Sequence, residues 1–118
     1  MSGALEQDPR FLLGLRLLEQ QNYAESADEF EELFFEAVRD EVEFVRVFLQ
    51  LATGFHHLDR GTERAAIERL LEGIIAAQKV QNWRGFDGPH LIEVIGAAVS
   101  RIRDGQRPAP PQLLRAES

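Results

Sequence analysis

Apolar residues recur along this chain at spacings of three and four, and no stretch alternates with period two. That pattern predicts helices and no strands. The densest apolar stretch is Val42–Leu58, VEFVRVFLQLATGFHHL. As a helix it is apolar nearly all round, through Val42, Val45, Phe48, Leu49, Leu51, Ala52, Phe55 and Leu58. A helix of that kind belongs at the centre of a fold.

The spacing predicts four more helices around it. The first runs from Asp8 to about Gln20, with Asp8 as N-cap, Pro9 at the first helical position, and Phe11, Leu12, Leu15 and Leu18 on its apolar face. The second, from about Tyr23 to Arg39, carries Tyr23, Ala27, Phe30, Phe34 and Val38, widened by Leu33, Phe35 and Ala37. Gly61 closes the central helix. Thr62 opens a fourth that reaches Lys79, with Ala66, Ile67, Leu70, Leu71, Ile74 and Ile75 inside. Asn82–Gly88, NWRGFDG, is a turn-rich loop whose Trp83 and Phe86 are expected to cap the core. A fifth helix runs from Pro89 to about Arg103 on Leu91, Ile92, Ile95, Val99 and Ile102, and Gly105 ends it. The expected architecture is all-α: one domain over residues 1–105, built of two helical hairpins and a closing helix. A proline-rich, extended tail follows over residues 106–118.

A weak internal repeat supports the hairpins. Gly14 and Gly54 stand 40 residues apart, and at the same offset Leu18 matches Leu58, Asn22 matches Thr62, Phe30 matches Leu70 and Phe34 matches Ile74. Each copy reads as helix, tight turn, helix. The spacing resembles a tetratricopeptide hairpin, with a period longer than the usual ~34 residues. Short helical stacks of that kind mostly bind other molecules rather than catalyse.

Composition narrows the function classes. A chain of 118 residues suits one domain, which buries roughly two-thirds of its unfolded surface without staples. The absence of cysteine excludes disulfides, thiolate zinc sites and cysteine nucleophiles, and points to the cytoplasm. The start, MSGALEQDPR, lacks the layout of a signal peptide, and no apolar run approaches the roughly 20 residues of a membrane span. The net charge of −7 argues against nucleic-acid binding, which neutralises phosphates. Neither a membrane nor a cofactor is expected. The charge is unevenly placed: residues 25–43 hold nine acids and one base, residues 101–115 four arginines and one acid. The acidic stretch reads as a solvated face. Alternatively, it meets a basic partner, including the C-terminal segment of a second copy.

Three polar residues break the central helix. Arg46 and Gln50 are neighbours on one face, and His57 returns close to the same line. Polar groups on a helix that is otherwise buried need partners. The stripe is either a satisfied structural network or the lining of a pocket.

The segments NYAESADEFEELF and RVFLQLATGFHHLDRGTERAA resemble a small all-helical family of bacteria and archaea, the domain of unknown function numbered 309. The resemblance spans about Leu17–Ala66. The family's first block reads roughly Y-F-E-A-H-E-x-x-E-x-x-W, and its second R-x-L-I-Q-x-A-x-A-x-x-H followed by R-G-N. Glu31 stands at the second glutamate of the pair, and Arg46, Gln50 and His57 stand at the arginine, glutamine and histidine. Ala27 takes the place of the first block's histidine, Asp28 of the glutamate beside it, Phe34 of the tryptophan and Thr62 of the asparagine. The resemblance implies a helical fold and a candidate site but no reaction, and with Ala27 in place of the family's histidine a metal or acid–base role built on that histidine is lost or altered here.

Asp28 and Glu31, at i and i+3, point the same way. With the second and third helices antiparallel, the pair is expected to face Arg46, Gln50 or His57. One reading is a buried carboxylate–arginine network, in which Arg46→Ala costs several kcal/mol. The other is a small polar pocket of Asp28, Glu31, Arg46, Gln50 and His57 for a small molecule or a divalent metal, with a hydrolytic role conceivable. His56 and His57 are adjacent and diverge, so they do not chelate together, and His90 is expected at the surface. Arg101, Arg103 and Arg107 are expected in solvent, where basic groups suit a helix C-terminus. The chain holds no nucleophile–base pair, phosphate-binding glycine loop or zinc spacing. The leading expectation is therefore a non-enzymatic cytoplasmic module that binds a protein, a peptide or its own second copy as a homodimer.

Overall fold

The computed structural model describes residues 7–80 and 87–109. Five helices follow in order: α1 (Pro9–Glu19), α2 (Tyr23–Glu36), α3 (Asp40–Asp59), α4 (Glu63–Lys79) and α5 (Gly88–Arg103). No strand occurs among the described residues. The local signals account for most of the boundaries. Asp8 caps α1, its carboxylate accepting the Arg10 N–H at 2.8 Å, and Asp87 caps α5 in the same way, accepting the His90 N–H at 3.0 Å. Pro9 and Pro89 occupy the first turns, where a missing N–H costs nothing. Trp83 and Phe86, expected to cap the core, lie outside the described residues.

The two hairpins are the same structure written twice. Leaving α1, Gln21 N–H donates to Leu18 O and Asn22 N–H to Leu17 O; leaving α3, Gly61 N–H donates to Leu58 O and Thr62 N–H to His57 O. Both ends form the paired reverse bonds of a Schellman turn, with positive φ at Gln21 (69°) and Gly61 (81°). α5 ends likewise, at Gly105 with φ 76°. The crossing points repeat too. A Cβ on Gly14 would lie 2.7 Å from Phe30 Cζ, and one on Gly54 would lie 2.9 Å from Leu70 Cδ2 and Cγ. Phe30 and Leu70 have no exposed surface. In the first hairpin the buried Ser26 also donates its hydroxyl to Gly14 O at 2.7 Å.

α3 is the central helix. Tyr23 stacks on Phe55 with ring centroids 5.2 Å apart, and Phe30 meets Phe48 at 5.7 Å, so α2 and α3 run antiparallel. Phe11 of α1 reaches across to Phe44 (5.4 Å) and Phe48 (5.1 Å). α4 covers the other flank of α3, and α5 packs on α4. This is the all-α architecture of two hairpins and a closing helix.

Several expectations about faces need correction. α2 ends at Glu36, three residues short of Arg39: Ala37 is extended, Arg39 has φ 53°, and the Glu41 carboxylate accepts the Val38 N–H at 3.3 Å. The chain must reverse there to lay α3 beside α2, and no glycine marks the reversal. Ser26 and Leu33 fill the inner face of α2, while Val38 and Phe35 project into solvent and Ala27 and Phe34 are half-buried. On α4 the small residues Gly73, Ala76 and Ala77 face inward, and Leu71 and Ile75 are exposed. At Gly73 a Cβ would sit in ordinary van der Waals contact, 3.6 Å from Gln50 Cβ and Val47 O. Gly14, not Leu12, lies on the inner face of α1.

Over residues 104–109 the chain stays on the body, and the rest of the proline-rich tail lies outside the described residues. Arg107 pairs with Asp59 at the end of α3, and Pro108 is buried. Tyr23 lies within the field of that pair. Burial first, and then the Asp59 charge, push its phenol up to about 12 from an ordinary value of 10, against the opposing pull of Arg107.

Two predictions follow from the packing. Gly14→Ala and Gly54→Ala should each lower stability by about 1–2 kcal/mol, because overpacking of roughly 1–3 kcal/mol outweighs a helix-propensity gain of up to about 1 kcal/mol. Gly96→Ala, whose methyl meets nothing within 4 Å among the described residues, should gain about 0.5–1 kcal/mol. Urea denaturation of the three variants checks the contrast. The second prediction concerns Tyr23, whose proton is held more tightly in the fold than in the unfolded chain. Its contribution is fully present below pH 10 and is lost as pH rises toward 12. Thermal unfolding followed across that window should show a loss of roughly 1–2 kcal/mol, and Tyr23→Phe should flatten it.

Candidate functional site

The polar stripe of α3 lies where α2, α3 and α4 meet, and it is half-buried rather than sealed. The Arg46 guanidinium sits over the Phe34 ring, 5.0 Å from its centroid. Its Nε is 3.3 Å from Glu43 Oε1, one turn back on the same helix, and Lys79 of α4 approaches Glu43 Oε2 at 3.9 Å. The Glu43 side chain is 28 % exposed, yet Oε1 is buried without a hydrogen bond. The two charges attract each other without forming a hydrogen bond. Gln50 follows one turn after Arg46, beside Gly73. His57 is at the far end, where Thr62 donates its hydroxyl to His57 O at 2.9 Å and approaches His57 Nδ1 at 3.3 Å.

Asp28 and Glu31 do not join this cluster. Both are exposed, and neither forms an ion pair with a described basic side chain. The carboxylate expected to meet Arg46 from α2 comes from Glu43 on Arg46's own helix instead. No buried carboxylate–arginine network between α2 and α3 therefore forms among the described residues. What α2 contributes to Arg46 is the face of Phe34. This ring stands where the family pattern has tryptophan, and it offers the cation the same kind of surface.

His56 and His57 diverge, with ring centroids 6.4 Å apart. His90 takes part in the cap of α5 through its backbone. Among the described residues no three histidine or acidic side chains come together in a way that could hold a metal ion. Arg107 is exposed, as expected, and also pairs with Asp59. Arg10 grips Glu36 with two bonds of 2.9 and 2.8 Å and also reaches Asp8. The guanidinium holds both carboxyls below the usual range. This fork ties the start of α1 to the end of α2.

Sequence reasoning missed Glu43 and Lys79 as members of the stripe. Glu43 was legible, since it precedes Arg46 by three and shares its face. Lys79 was not, because its approach depends on how α4 lies against α3.

The family model described as Domain of unknown function (DUF309) matches residues 11–69, half of the chain. The chain belongs to this family. The matched region runs from α1 into α4, so it takes in the Gly14–Phe30 crossing, Gly54 and the α3 stripe from Glu43 to His57, and stops just short of Leu70. No curated protein and no solved structure matches the chain. Among the described residues no helix is long and apolar enough to cross a membrane.

The half-exposed setting of Arg46, 36 % for its side chain, sets its worth. A partly solvated ion pair and a cation–π contact contribute about 1 kcal/mol together. Arg46→Ala should therefore cost about 1 kcal/mol in urea denaturation rather than the several expected of a buried network. A loss above about 3 kcal/mol would show that the arginine shields buried charge.

Proposed function

We propose that this member of the family is a non-enzymatic cytoplasmic module that holds a basic, apolar segment of a protein partner at the outer end of α2. The observation that carries the reading is Phe35, 78 % exposed, with Val38 beside it at 59 %. Single exposed leucines are ordinary, but a phenylalanine this open is a strong candidate for an anchor. Exposed Glu31, Glu32 and Asp40 lie within five residues of the pair along the chain, and of the nearby acids Arg10 engages Glu36. A partner that covers Phe35 and answers those charges carries lysine or arginine beside its own apolar residues.

The alternative is a small-molecule site on the α3 stripe. It draws support from the unsatisfied Glu43 oxygen beside Arg46, which a ligand's hydrogen-bond donor would fill. Native mass spectrometry of untagged protein addresses it, since a retained molecule that Arg46→Ala releases would favour it over the α2 reading.

The leading reading is tested by fluorescence anisotropy with a labelled amphipathic peptide of lysine and leucine. Burying one phenylalanine is worth about 1.5–3 kcal/mol, so Phe35→Ser should weaken binding roughly 10- to 150-fold. The substitution leaves the net charge untouched. Equal affinity for the two proteins would mean that charge alone attracts the peptide, and the proposal fails.

A further inference from the structure

The outer face of α4 offers a second surface, independent of the α2 tip. Ala66, Leu70, Gly73 and Ala77 turn α4 inward. Leu71, 38 % exposed, and Ile75, 48 % exposed, lie one turn apart at the middle of its opposite face. A shallow groove of about 430 Å³ runs over them, lined by Glu68, Arg69, Leu71, Glu72 and Ile75. α3 and α5 flank α4 on its inner side.

We infer that this face pairs two copies of the chain, α4 against α4, antiparallel about a two-fold axis at Gly73–Ile74. The charges select the occupant and its direction. With the axis between Gly73 and Ile74, Glu68 of each copy comes level with Lys79 of the other, and Leu71 falls within one residue of the level of Ile75 of the other, twice over by symmetry. Lys79 is 59 % exposed, so its ammonium is available although it also approaches Glu43. A parallel pairing sets Glu68 on Glu68 and Glu72 on Glu72, which like-charge repulsion disfavours. The same face suits a basic peptide less well than it suits itself, because Arg69 and Lys79 lie among its acids. An isologous pair through the α2 tip, in contrast, would bring two acidic stretches together.

Sedimentation-velocity ultracentrifugation of the full chain, from micromolar to millimolar protein at an ionic strength of about 0.15 M, tests the inference. A concentration-dependent dimer is expected. Leu71→Glu with Ile75→Glu should raise its dissociation constant at least tenfold without changing the melting temperature, because both side chains are already exposed. Glu68→Lys alone should weaken the dimer, and Glu68→Lys with Lys79→Glu should restore it. A strictly monomeric chain overturns the inference, as does a dimer that survives the Leu71/Ile75 change. A dimer abolished by Phe35→Ser instead places the contact on α2 and overturns it as well. Rescue that fails in the double charge swap overturns the antiparallel register.

Discussion

Everything in this molecule depends on the close approach of two helices at a glycine. At Gly14 the ring of Phe30 lies where a side chain would begin, and at Gly54 Leu70 does the same 40 residues later. Close approach at these crossings brings the large side chains of the second helix into the core without a void, and dense packing is what makes buried area stabilising. The crossings also set the direction of each hairpin. Once Phe30 lies on Gly14 and Leu70 on Gly54, the short turns at residues 20–22 and 60–62 have one way to close. The central helix then receives α2 on one side and α4 on the other, and its aromatic residues reach α1 through Phe11.

That arrangement explains why polar residues are tolerated on α3. A central helix in a stack is covered by its neighbours, but three cylinders meeting along a line leave a furrow. Glu43, Arg46, Gln50 and His57 lie along it, half-buried. Arg46 keeps its guanidinium over the Phe34 ring and its Nε near Glu43, which satisfies most of its needs without full burial. The stripe thus has the chemistry of a partly wet furrow rather than that of a locked internal network.

The surface divides differently. Acidic residues crowd α2 and the turn into α3, and one arginine fork, from Arg10 to Glu36 and Asp8, pins that end together. The neighbouring Phe35 and Val38 have no such tie and stand open. On α4 the apolar pair Leu71 and Ile75 sits among charges of both signs. The two open surfaces therefore favour different kinds of company, one basic and one self-complementary.

How much of this could be read from the chain alone follows from the range of each interaction. Caps, turn glycines and three-and-four periodicity are local, so Asp8, Gly61 and Gly105 marked helix ends correctly, and the spacing of Gly14 and Gly54 marked the repeat. Periodicity also placed Arg46, Gln50 and His57 on one line. It says which residues share a face but not how far that face is rotated toward a neighbour. The rotation was decided by small residues that only matter when a second helix presses on them: Gly73, Ala76 and Ala77 turned Leu71 and Ile75 outward, and Ser26, bound to Gly14 O, helped turn α2. The same holds for long charged side chains. Asp28 and Glu31 stayed in solvent because Arg46 found Glu43 on its own helix, and Lys79 and Arg107 found Glu43 and Asp59 across distances in sequence that no local pattern measures. The chain by itself determined its helices and their order; only the tertiary packing decided which faces and which charges would meet, because that choice is a competition among contacts formed after the helices come together.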